Sequence, residues 1–600
     1  MLITHLQLRK LFSKFWEKKG HKLVPPIPLV PKEDPTTLFT GSGMQQLVPN
    51  LLGEPHPLGK RLYNIQPAVR AQDVDEVGDN RHTTIFEMMG NWSLGDYFKQ
   101  EQLEWCWNFF TKDLEIQKNK IYISIFAGTK TVPRDSESAT IWKKLGVAEN
   151  HIFFYGPEKN WWSRAGIPEN MPAGEPGGPN SEVFYEFSNM THNPKFGSKC
   201  HPNCDCGRFM EFGNSVFMQY KKEKDGSLSE LPKKNVDFGG GLERILAVLM
   251  SSPDMFKIDV LLPIIKFSED LSHTKYKSDE NTTRTMRILA DHMRSAALIA
   301  ADGVLPSNKD QGYFLRRLLR KMIRYGKNLG IENNISTSLL PSIVGIFKSV
   351  YPQIEKKQTA VQNIFKLEES KFRVTLENAR LSVEKAIKKS SNNWAQTAFD
   401  LFQSTGYHPE LFLEDLKEKN IEIDKRKFNQ TYKLIFEKHQ NISKKGVDKK
   451  FKGGLADTKG QTIKYHTATH LLHQSLFAVL GNDVRQEGSN ITTERLRFDF
   501  SSSRKPEKKD LEKATKIINQ KIKEKLPVEF KIIPKKEALK IGARSFFKEK
   551  YPDMVKVYFV GKYSKEFCGG PHVKNTKEIG KLEIFKFEKI GSNLYRIYAR

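Results

Sequence analysis

The hydrophobic and polar positions divide the chain into three stretches of different periodicity. In residues 1–260, short apolar runs such as IYISIFAG (121–128) and HIFFYG (151–156) stand among Gly, Pro and aromatic residues. Runs of this length and composition are typical of strands. Residues 1–260 are therefore predicted to form a mixed α+β domain.

The middle stretch, residues 261–445, has a helical pattern. In 284–304 and 313–330, apolar residues recur at positions i, i+3 and i+4 with basic residues between them, and the second run closes at Gly330. An all-helical domain with a basic face is predicted. A polar, Lys-rich stretch at 441–450 is expected to mark its end.

The last stretch, residues 446–600, returns to an α+β pattern without an internal repeat. The predicted elements are a helix at 466–481, a strand at 494–501, an amphipathic helix at 508–525, and strands at 527–534 and 581–590. Together the three stretches predict an α+β multidomain protein.

The composition indicates a soluble protein surface and a strongly positive net charge. The chain has 600 residues, 38% hydrophobic and 28% charged, and a net charge of +27. No apolar stretch is long enough to span a bilayer, and the N-terminus lacks a signal peptide, so a cytoplasmic protein is expected. The charge favours a polyanionic partner such as nucleic acid, although a general lysine bias would give the same number.

Two short strings about 100 residues apart contain metal-ligand residue types. HTATH places His466 and His470 on one helical face, and CGGPH places Cys568 and His572 at the same spacing across a tight Gly-Gly-Pro loop. Three imidazoles and a thiolate form a zinc ligand set. The alternative is that the histidines line a helix surface and Cys568 is a buried thiol.

Three of the five cysteines, Cys200, Cys204 and Cys206, lie close together in KCHPNCDCGR. This clustering fits a metal better than a disulfide framework and agrees with a reducing compartment. The three thiols, with or without His201, are candidates for a second zinc site. Because the spacing is irregular, a thiol-rich turn remains an equal alternative.

The N-terminal domain has no P-loop or GxGxxG fingerprint, but two segments can serve nucleotide chemistry. In 66–98, Arg70, Arg81 and His82 supply cationic donors and Phe86 an aromatic face, on a predicted strand–loop–strand. A hairpin with surface salt bridges is the alternative. In 235–249, three glycines precede a helix, with Asp237 before them and Arg244 after them.

This layout resembles class II aminoacyl-tRNA synthetases, and the particular words are similar to those of the alanyl-tRNA synthetase family. They follow the family order over essentially the whole chain: FEMMGNWSLGDYF (86–98), SVFMQY (215–220), VDFGGGLERI (236–245), RILADHMRSAALIAADGVLPSN (287–308), GYFLRRLLRKMIRYG (312–326), HTATHLL and CGGPHV. The resemblance implies a class II antiparallel sheet with helices, then an all-helical tRNA acceptor-stem domain, then an α+β zinc-containing editing domain. The implied activity is ATP-dependent activation of alanine and its transfer to tRNA(Ala).

The family's roles carry over by position, and Mg²⁺ is expected to accompany ATP. Arg70 would hold the α-phosphate and the amino acid carboxylate, and Asp237 the α-ammonium group, with Arg244 on the γ-phosphate; these three are the expected catalytic residues. The remaining expected contacts are Arg81 and His82 on the distal phosphates, Phe86 on adenine, and Trp162 and Asn214 around alanine.

The resemblance also implies tRNA contacts and editing. Asn308 would read a base edge of a G:U pair, and Arg316 and Arg317 would bind the RNA backbone, although a solvated helix face is the alternative for some basic residues. An alanine pocket rejects glycine or serine only about 10–200-fold, so Ser-tRNA(Ala) and Gly-tRNA(Ala) require hydrolysis at the zinc site. Thr467 replaces the general-base Glu of the protease word HExxH, and Gln486 resembles an editing-pocket residue.

Two family segments are absent from the pattern. Only about twenty residues, from Lys445 to Lys464, stand where a glycine-rich barrel usually precedes the editing helix. The usual C-terminal oligomerisation domain is also absent, so a monomer is expected. Two other functions remain open at this point: a tRNA-binding trans-editing hydrolase with an inactive N-terminal domain, and a generic zinc hydrolase.

Overall fold

The computed structural model describes residues 3–31, 37–332, 334–388, 393–448, 460–544, 553–591 and 593–600. Contacts between Cα atoms group the chain into two compact units. The first contains Met1–Ser391 and Leu401–Asn420, and the second contains Asn392–Asp400 and Ile421–Arg600. Among the described residues, no helix is both long enough and apolar enough to cross a membrane.

The first unit is built on a nine-stranded sheet. Its order is β1-β2-β3-β9-β8-β7-β4-β5, with β6 paired to β7 off this path. The strands are β1 (Lys22–Leu23), β2 (Arg61–Val69), β3 (Ile85–Ser93), β4 (Ile121–Phe126), β5 (Ile152–Tyr155), β6 (Trp161–Trp162), β7 (Pro176–Glu186), β8 (Phe209–Lys222) and β9 (Leu228–Gly241). All pairings are antiparallel except β1–β2 and β4–β5 at the two edges. The predicted antiparallel sheet is confirmed, and the apolar runs at 121–128 and 151–156 form β4 and β5.

Helices surround this sheet and continue into the predicted helical stretch. Those with residues in the first unit are α1 (His5–Lys18), α2 (Val48–Leu51), α3 (Lys99–Asn108), α4 (Ser136–Lys144), α5 (Pro157–Asn160), α6 (Leu242–Leu249), α7 (Leu262–Ser272), α8 (Glu280–Ala301), α9 (Asp310–Asn328), α10 (Ile335–Phe347), α11 (Gln353–Lys356), α12 (Gln358–Lys388), α13 (Trp394–Thr405), which has residues in both units, and α14 (Pro409–Glu418). The helices predicted at 284–304 and 313–330 correspond to α8 and α9.

Helix α8 is bound tightly to the sheet. Asp279 caps its N-terminus by accepting a hydrogen bond from the Thr282 amide at 2.8 Å. Further along, buried Asp291 accepts hydrogen bonds from the amide and hydroxyl of Thr84 at 2.8 and 2.6 Å. The bonds between Asp291 and Thr84 join α8 to the residue that precedes β3, and both belong to the first unit. A functional division between residues 1–260 and 261–445 therefore stays a prediction.

The second unit combines helices with two small antiparallel sheets. Its elements are α15 (Lys425–Asp448), α16 (Gly460–Leu480), β10 (Arg485–Ile491), β11 (Leu496–Ser501), α17 (Lys508–Lys523), β12 (Val528–Pro534), α18 (Lys535–Lys540), β13 (Met554–Val560), β14 (Ser564–Phe567), β15 (Ile584–Gly591) and β16 (Leu594–Ala599). The sheet orders are β10-β11-β16-β15 and β12-β13-β14. Helices α16 and α17 cover the first sheet, and their core includes Leu471, Ile518 and Phe498, all fully buried.

The predicted elements of this unit are confirmed as α16, β11, α17, β12 and β15. The Lys-rich stretch differs from expectation, because residues 441–448 belong to α15 rather than to a linker. Lysine has a high helix propensity, so a lysine-rich polar stretch is compatible with a helix. Residues 449–459, which make up most of the expected short connection to the editing helix, lie outside the described residues.

Candidate active site and metal centre

A cavity of about 290 Å³ in the first unit collects the predicted ATP and alanine residues. It lies at the ends of β2 and β9 and against β3, β8 and the first turn of α6. All eight residues predicted for ATP and alanine line it: Arg70, Arg81, His82, Phe86, Trp162, Asn214, Asp237 and Arg244. These positions lie up to 174 residues apart in the sequence. They meet in one cavity because the antiparallel pairings bring their strands side by side.

Arg70 and Phe86 form one wall of the cavity. Phe86 lies on β3 opposite Ala68 of β2, and Arg70 follows the end of β2, where its amide donates to the Thr84 carbonyl at 2.8 Å. The Arg70 guanidinium carbon is 5.5 Å from the centre of the Phe86 ring. Burial lowers the pKa of Arg70, partly offset by the nearby carboxylate of Asp73. This wall offers a cation next to an aromatic face.

Arg81 and His82 are held by an acidic turn. Asp79 Oδ1 accepts the amides of Arg81 and His82 at 3.0 and 2.8 Å, and its Oδ2 lies 2.6 Å from His82 Nδ1. Glu76 lies 3.2 Å from the other ring nitrogen of His82. The hydrogen bond to Asp79 raises the pKa of His82, more than burial lowers it. The imidazole therefore favours its cationic form, which suits an anionic ligand.

Arg244 lines the cavity from α6. It is the third residue of α6, and this helix begins directly after the three glycines that end β9. Its Nη1 donates to the carbonyl of Glu211 at 3.2 Å and to its carboxylate at 3.1 Å. Glu211 also lines the cavity, on β8. The guanidinium is therefore oriented before any ligand arrives.

Asp237 lines the cavity, and Trp92 lies behind it. The two residues are directly opposite each other on β9 and β3, and Trp92 Nε1 donates to Asp237 Oδ1 at 2.7 Å. Burial raises the pKa of Asp237 to about 7, and the Trp92 hydrogen bond works against that rise. An ammonium group would stabilise the ionised form of a buried carboxyl whose pKa lies near 7, so Asp237 is well suited to bind one.

Asn214 lies beside Asp237 and contacts a second buried carboxyl. Its Nδ2 donates to Glu182 Oε1 at 3.2 Å, while its Oδ1 is buried with no hydrogen-bond partner among the described residues. Burial, reinforced by the charge of Glu211, raises the pKa of Glu182 to about 8. Asn214 therefore keeps an acceptor oxygen for a ligand donor.

Sequence reasoning did not predict the partners that orient these groups. They are Trp92 behind Asp237, Glu182 behind Asn214, Glu211 beside Arg244 and Asp79 beside His82. Asp79 could have been found from its place three residues before His82. The other three contacts depend on which strands are neighbours and in which register, and the sequence spacing carries no signal for that.

In the second unit, the four predicted metal ligands converge. Their ligating atoms all lie within 4.8 Å of one another, with Cys568 Sγ 3.5 Å from His466 Nε2 and 3.4 Å from His572 Nε2. Tetrahedral Zn²⁺, with bonds of about 2.3 Å to sulfur and about 2.0 Å to nitrogen, separates such atoms by about 3.5 Å. The set of His466, His470, Cys568 and His572 therefore fits zinc in both donor type and spacing.

The loop that carries Cys568 requires glycine at one position. A Cβ on Gly570 would lie 2.2 Å from Cε1 of His466, so a larger residue would displace the ring. Burial alone would raise the pKa of Cys568, but hydrogen bonds with His466, His470 and His572 lower it to about 2. The sulfur is therefore a thiolate, the form that binds metal.

A second layer of polar groups surrounds the ligand rings. Glu566 Oε2 lies 3.4 Å from Nδ1 of His470, and its Oε1 lies 2.9 Å from Nδ1 of His473. Thr467 Oγ1 lies 3.2 Å from Nδ1 of His572 and accepts the Val573 amide at 3.1 Å. Carboxylate and hydroxyl partners of this kind fix the orientation of metal-ligating imidazoles. Thr467, at the position of the general base in HExxH, thus contacts a ligand ring.

Comparisons with known proteins identify the family of the chain. The family model described as "tRNA synthetases class II (A)" matches residues 7–490, and "Threonyl and Alanyl tRNA synthetase second additional domain" matches residues 555–598. The alanine--tRNA ligase of Treponema denticola is 43% identical over 608 aligned positions, which cover 100% of this chain and 99% of the relative. The chain belongs to the alanine--tRNA ligase family.

Other family members show the same relationship. The alanine--tRNA ligase of Borreliella afzelii is 42% identical, with 99% of this chain and 98% of the relative covered. That of Thermotoga maritima is 33% identical over 705 aligned positions, which cover 100% of this chain and 80% of the relative. The predicted family membership is confirmed.

The predicted tRNA residues lie on and before α9, where acidic partners hold them. Arg316 contacts Asn308 Oδ1 through a hydrogen bond and pairs with Glu368 at 3.2 Å. Arg317 pairs with Asp75 at 2.9 Å and with Glu410 at 2.5 Å. The structure therefore brings Asn308 and Arg316 together, and both arginines have carboxylate partners rather than fully solvated heads.

The predicted editing residue Gln486 is a buried residue of β10, opposite Phe500 of β11. Its strand lies next to α16, the helix that carries His466 and His470. Its role in editing stays a prediction.

The cysteine cluster forms, with one change of partner. His192, Cys200, Cys204 and Cys206 place their ligating atoms within 4.8 Å of one another. His201, the expected fourth member, instead lies 2.8 Å from the Tyr155 hydroxyl through its Nδ1. The nomination of His201 is therefore wrong, because the backbone turn directs its ring toward β5. His192 was missed because it stands eight positions before Cys200, outside any short ligand spacing.

Proposed function

We propose that this chain is an alanine--tRNA ligase that joins alanine to tRNA(Ala) using ATP. The observation that carries the proposal is the single cavity that is lined both by the buried carboxyl of Asp237 and by the cationic side chains of Arg70, Arg81, His82 and Arg244. An amino acid and a nucleoside triphosphate need these two environments side by side.

In the proposed reaction, a carboxylate oxygen of alanine attacks the α-phosphorus of ATP, and pyrophosphate leaves. Arg70 binds both the carboxylate and the α-phosphate, so it neutralises the charge that develops between them. Arg81, His82 and Arg244 bind the departing phosphates, and Phe86 stacks on adenine. Mg²⁺, when bound with ATP, would offset part of the same negative charge. Catalysis is then mainly positioning and electrostatic stabilisation, and a ribose hydroxyl of the tRNA end takes alanine from the adenylate.

The amino acid end of the pocket has two parts in this proposal. Asp237 pairs with the ammonium group, Asn214 Oδ1 accepts a second hydrogen bond from it, and Trp162 closes the space around the methyl group. A pocket of this kind separates alanine from glycine or serine by about 10–200-fold. Residues 446–600 are therefore proposed to hydrolyse Ser-tRNA(Ala) and Gly-tRNA(Ala).

For editing, His466, His470, Cys568 and His572 would hold Zn²⁺, which when bound supplies a Lewis acid for ester hydrolysis. Glu566 and Thr467 keep the ligand rings in place, and Gln486 is proposed to contact the misacylated end. Residues 261–445 are proposed to read the acceptor stem, with Asn308 on a base edge and Arg316 and Arg317 on the backbone.

The two activities are separable by matched variants of the full chain. Asp237→Ala should abolish charging of tRNA(Ala) with alanine and leave Ser-tRNA(Ala) deacylation intact. Cys568→Ser should do the reverse. Loss of both activities in a folded Asp237→Ala protein, or charging that survives this substitution, would contradict the proposal. A trans-editing hydrolase with an inactive first unit is not favoured, because Arg70, Asp237 and Arg244 are all present in one cavity.

A further inference from the structure

The segment between β7 and β8 supplies none of the residues proposed to bind substrate or metal in either activity and has little regular structure. It runs from residue 187 to residue 208 and contains one short 3₁₀ turn, Pro194–Phe196. Most side chains from Asn193 to Lys199 are exposed. Connections of this length without secondary structure are uncommon in compact domains, and residues 193–199 of this one bury no side chain that would order them.

Four ligand-type side chains converge at the end of this segment. Cys200 Sγ lies 3.5 Å from Cys206 Sγ, and Cys204 Sγ lies 3.7 Å from His192 Nδ1. Tetrahedral Zn²⁺ separates two sulfur ligands by about 3.8 Å and a sulfur from a nitrogen by about 3.5 Å. Both contacts are within a few tenths of an ångström of these values.

We propose that His192, Cys200, Cys204 and Cys206 bind a second zinc ion, which orders the segment between β7 and β8. Four protein ligands of the Cys₃His type close the coordination shell, which is typical of structural rather than catalytic zinc. The site is separate in sequence from the predicted editing zinc and uses none of its ligands.

The local backbone supports this choice of ligands. The Cys204 amide donates to the His201 carbonyl at 2.9 Å, which makes a tight turn between the first two cysteines. That turn leaves the His201 ring on Tyr155 and out of the cluster. Gly207, with φ of +85°, reverses the chain directly after Cys206. The three thiols thus face one point, although their spacing in sequence is irregular.

A disulfide between Cys200 and Cys206 is not formed at the observed separation. Their sulfur atoms are 3.5 Å apart, whereas a disulfide bond is about 2.05 Å long. All five cysteines of the chain are free thiols in the structure.

The site lies beside the proposed ATP pocket. Asp205, between two of the ligands, accepts from Arg81 Nη2 through its carboxylate at 3.3 Å and its carbonyl at 3.4 Å. Metal at this cluster would therefore hold one of the acceptors that orient Arg81 before ATP binds.

Zinc content of the purified full chain, measured by mass spectrometry of the metal, tests the proposal. The wild type should contain two zinc ions per chain, Cys568→Ser one, Cys204→Ser one, and the double variant none. Cys106→Ser is the matched control, since it removes a buried thiol outside both clusters and should retain two. A wild type with one zinc that Cys568→Ser removes entirely would overturn the proposal.

Three further measurements keep the test independent of folding defects. His192→Ala should lose the second zinc and His201→Ala should retain it; the opposite result would overturn the ligand assignment. In Cys568→Ser protein loaded with Co²⁺, thiolate-to-metal charge-transfer absorption should appear and should vanish in Cys568→Ser/Cys206→Ser. A Cys200–Cys206 disulfide, seen as two missing thiols in denatured protein that was purified without oxidant, would also overturn the proposal.

Discussion

Replacing Trp92 with phenylalanine should shift the pH dependence of alanine binding. Trp92 Nε1 donates to Asp237 Oδ1 at 2.7 Å, and this bond stabilises the ionised carboxyl. A hydrogen bond to a charged group contributes roughly 1.5–3 kcal/mol. Its loss should raise the pKa of Asp237 from about 7 by roughly one to two units, since each unit corresponds to about 1.4 kcal/mol.

The direction of the pH effect follows from the protonation state of Asp237 that binds alanine. An ammonium group pairs with the ionised carboxyl, so alanine binding weakens as pH falls through the pKa. At pH 7, Trp92→Phe should raise KM for alanine by roughly 5- to 50-fold over wild type, and at pH 9 the difference should shrink to about twofold or less. KM for alanine in ATP–pyrophosphate exchange, measured from pH 6 to 9, gives both profiles.

Trp161→Phe is the matched control. Trp161 packs against Phe126, 5.7 Å between ring centres, and does not line the cavity. The pH profile of KM for alanine in Trp161→Phe should coincide with that of the wild type. A Trp92→Phe protein that is folded and has a raised KM with an unchanged inflection would refute the reasoning, because its effect would then come from packing rather than from the carboxyl.

Three further predictions concern other parts of the chain. Arg294→Met should lower the free energy of unfolding by roughly 3–5 kcal/mol in urea titrations, because Glu243, 2.6 Å from Arg294, would be left buried without its charged partner. Arg380→Ala, at an exposed helical ion pair, should lower the free energy of unfolding by less than about 1 kcal/mol. Equal losses in the two variants would contradict this account. Glu566→Gln should weaken zinc retention at the editing cluster by about 10–100-fold in chelator competition, since it removes the charge that faces His470 and His473; unchanged retention would exclude the carboxylate as a support of the ligands. Asn308→Ala should reduce charging of tRNA(Ala) that has a G:U acceptor pair by roughly 5- to 150-fold and should leave alanine-dependent exchange unchanged, and a parallel loss in exchange would show that Asn308 acts elsewhere.

The sequence predicts helices and strands well where periodicity is strong. Helices α8 and α9 and strand β4 lie where the apolar pattern puts them, because their apolar positions are buried. The metal ligands of the second unit were also predictable, since each pair has the spacing of a local ligand motif. His192 was not, because it reaches the cysteines through an irregular loop.

Contacts between residues on neighbouring strands could not be predicted from the sequence. The contact of Trp92 with Asp237 depends on the register of β3 against β9, and that of Asn214 with Glu182 on the register of β8 against β7. The basic face of α9 was predicted as solvated or RNA-binding. Its ion pairs with Glu368 and Glu410 could not be anticipated, since those carboxylates come from α12 and α14, far along the chain.

Amino acid-dependent ATP–pyrophosphate exchange by the full chain tests the central claim most directly. With alanine, glycine, serine and valine offered separately, alanine should give the highest kcat/KM, glycine and serine values roughly 10–200-fold lower, and valine no exchange. A folded protein that shows no exchange with alanine, or that prefers another of these amino acids, would contradict the claim that this cavity activates alanine.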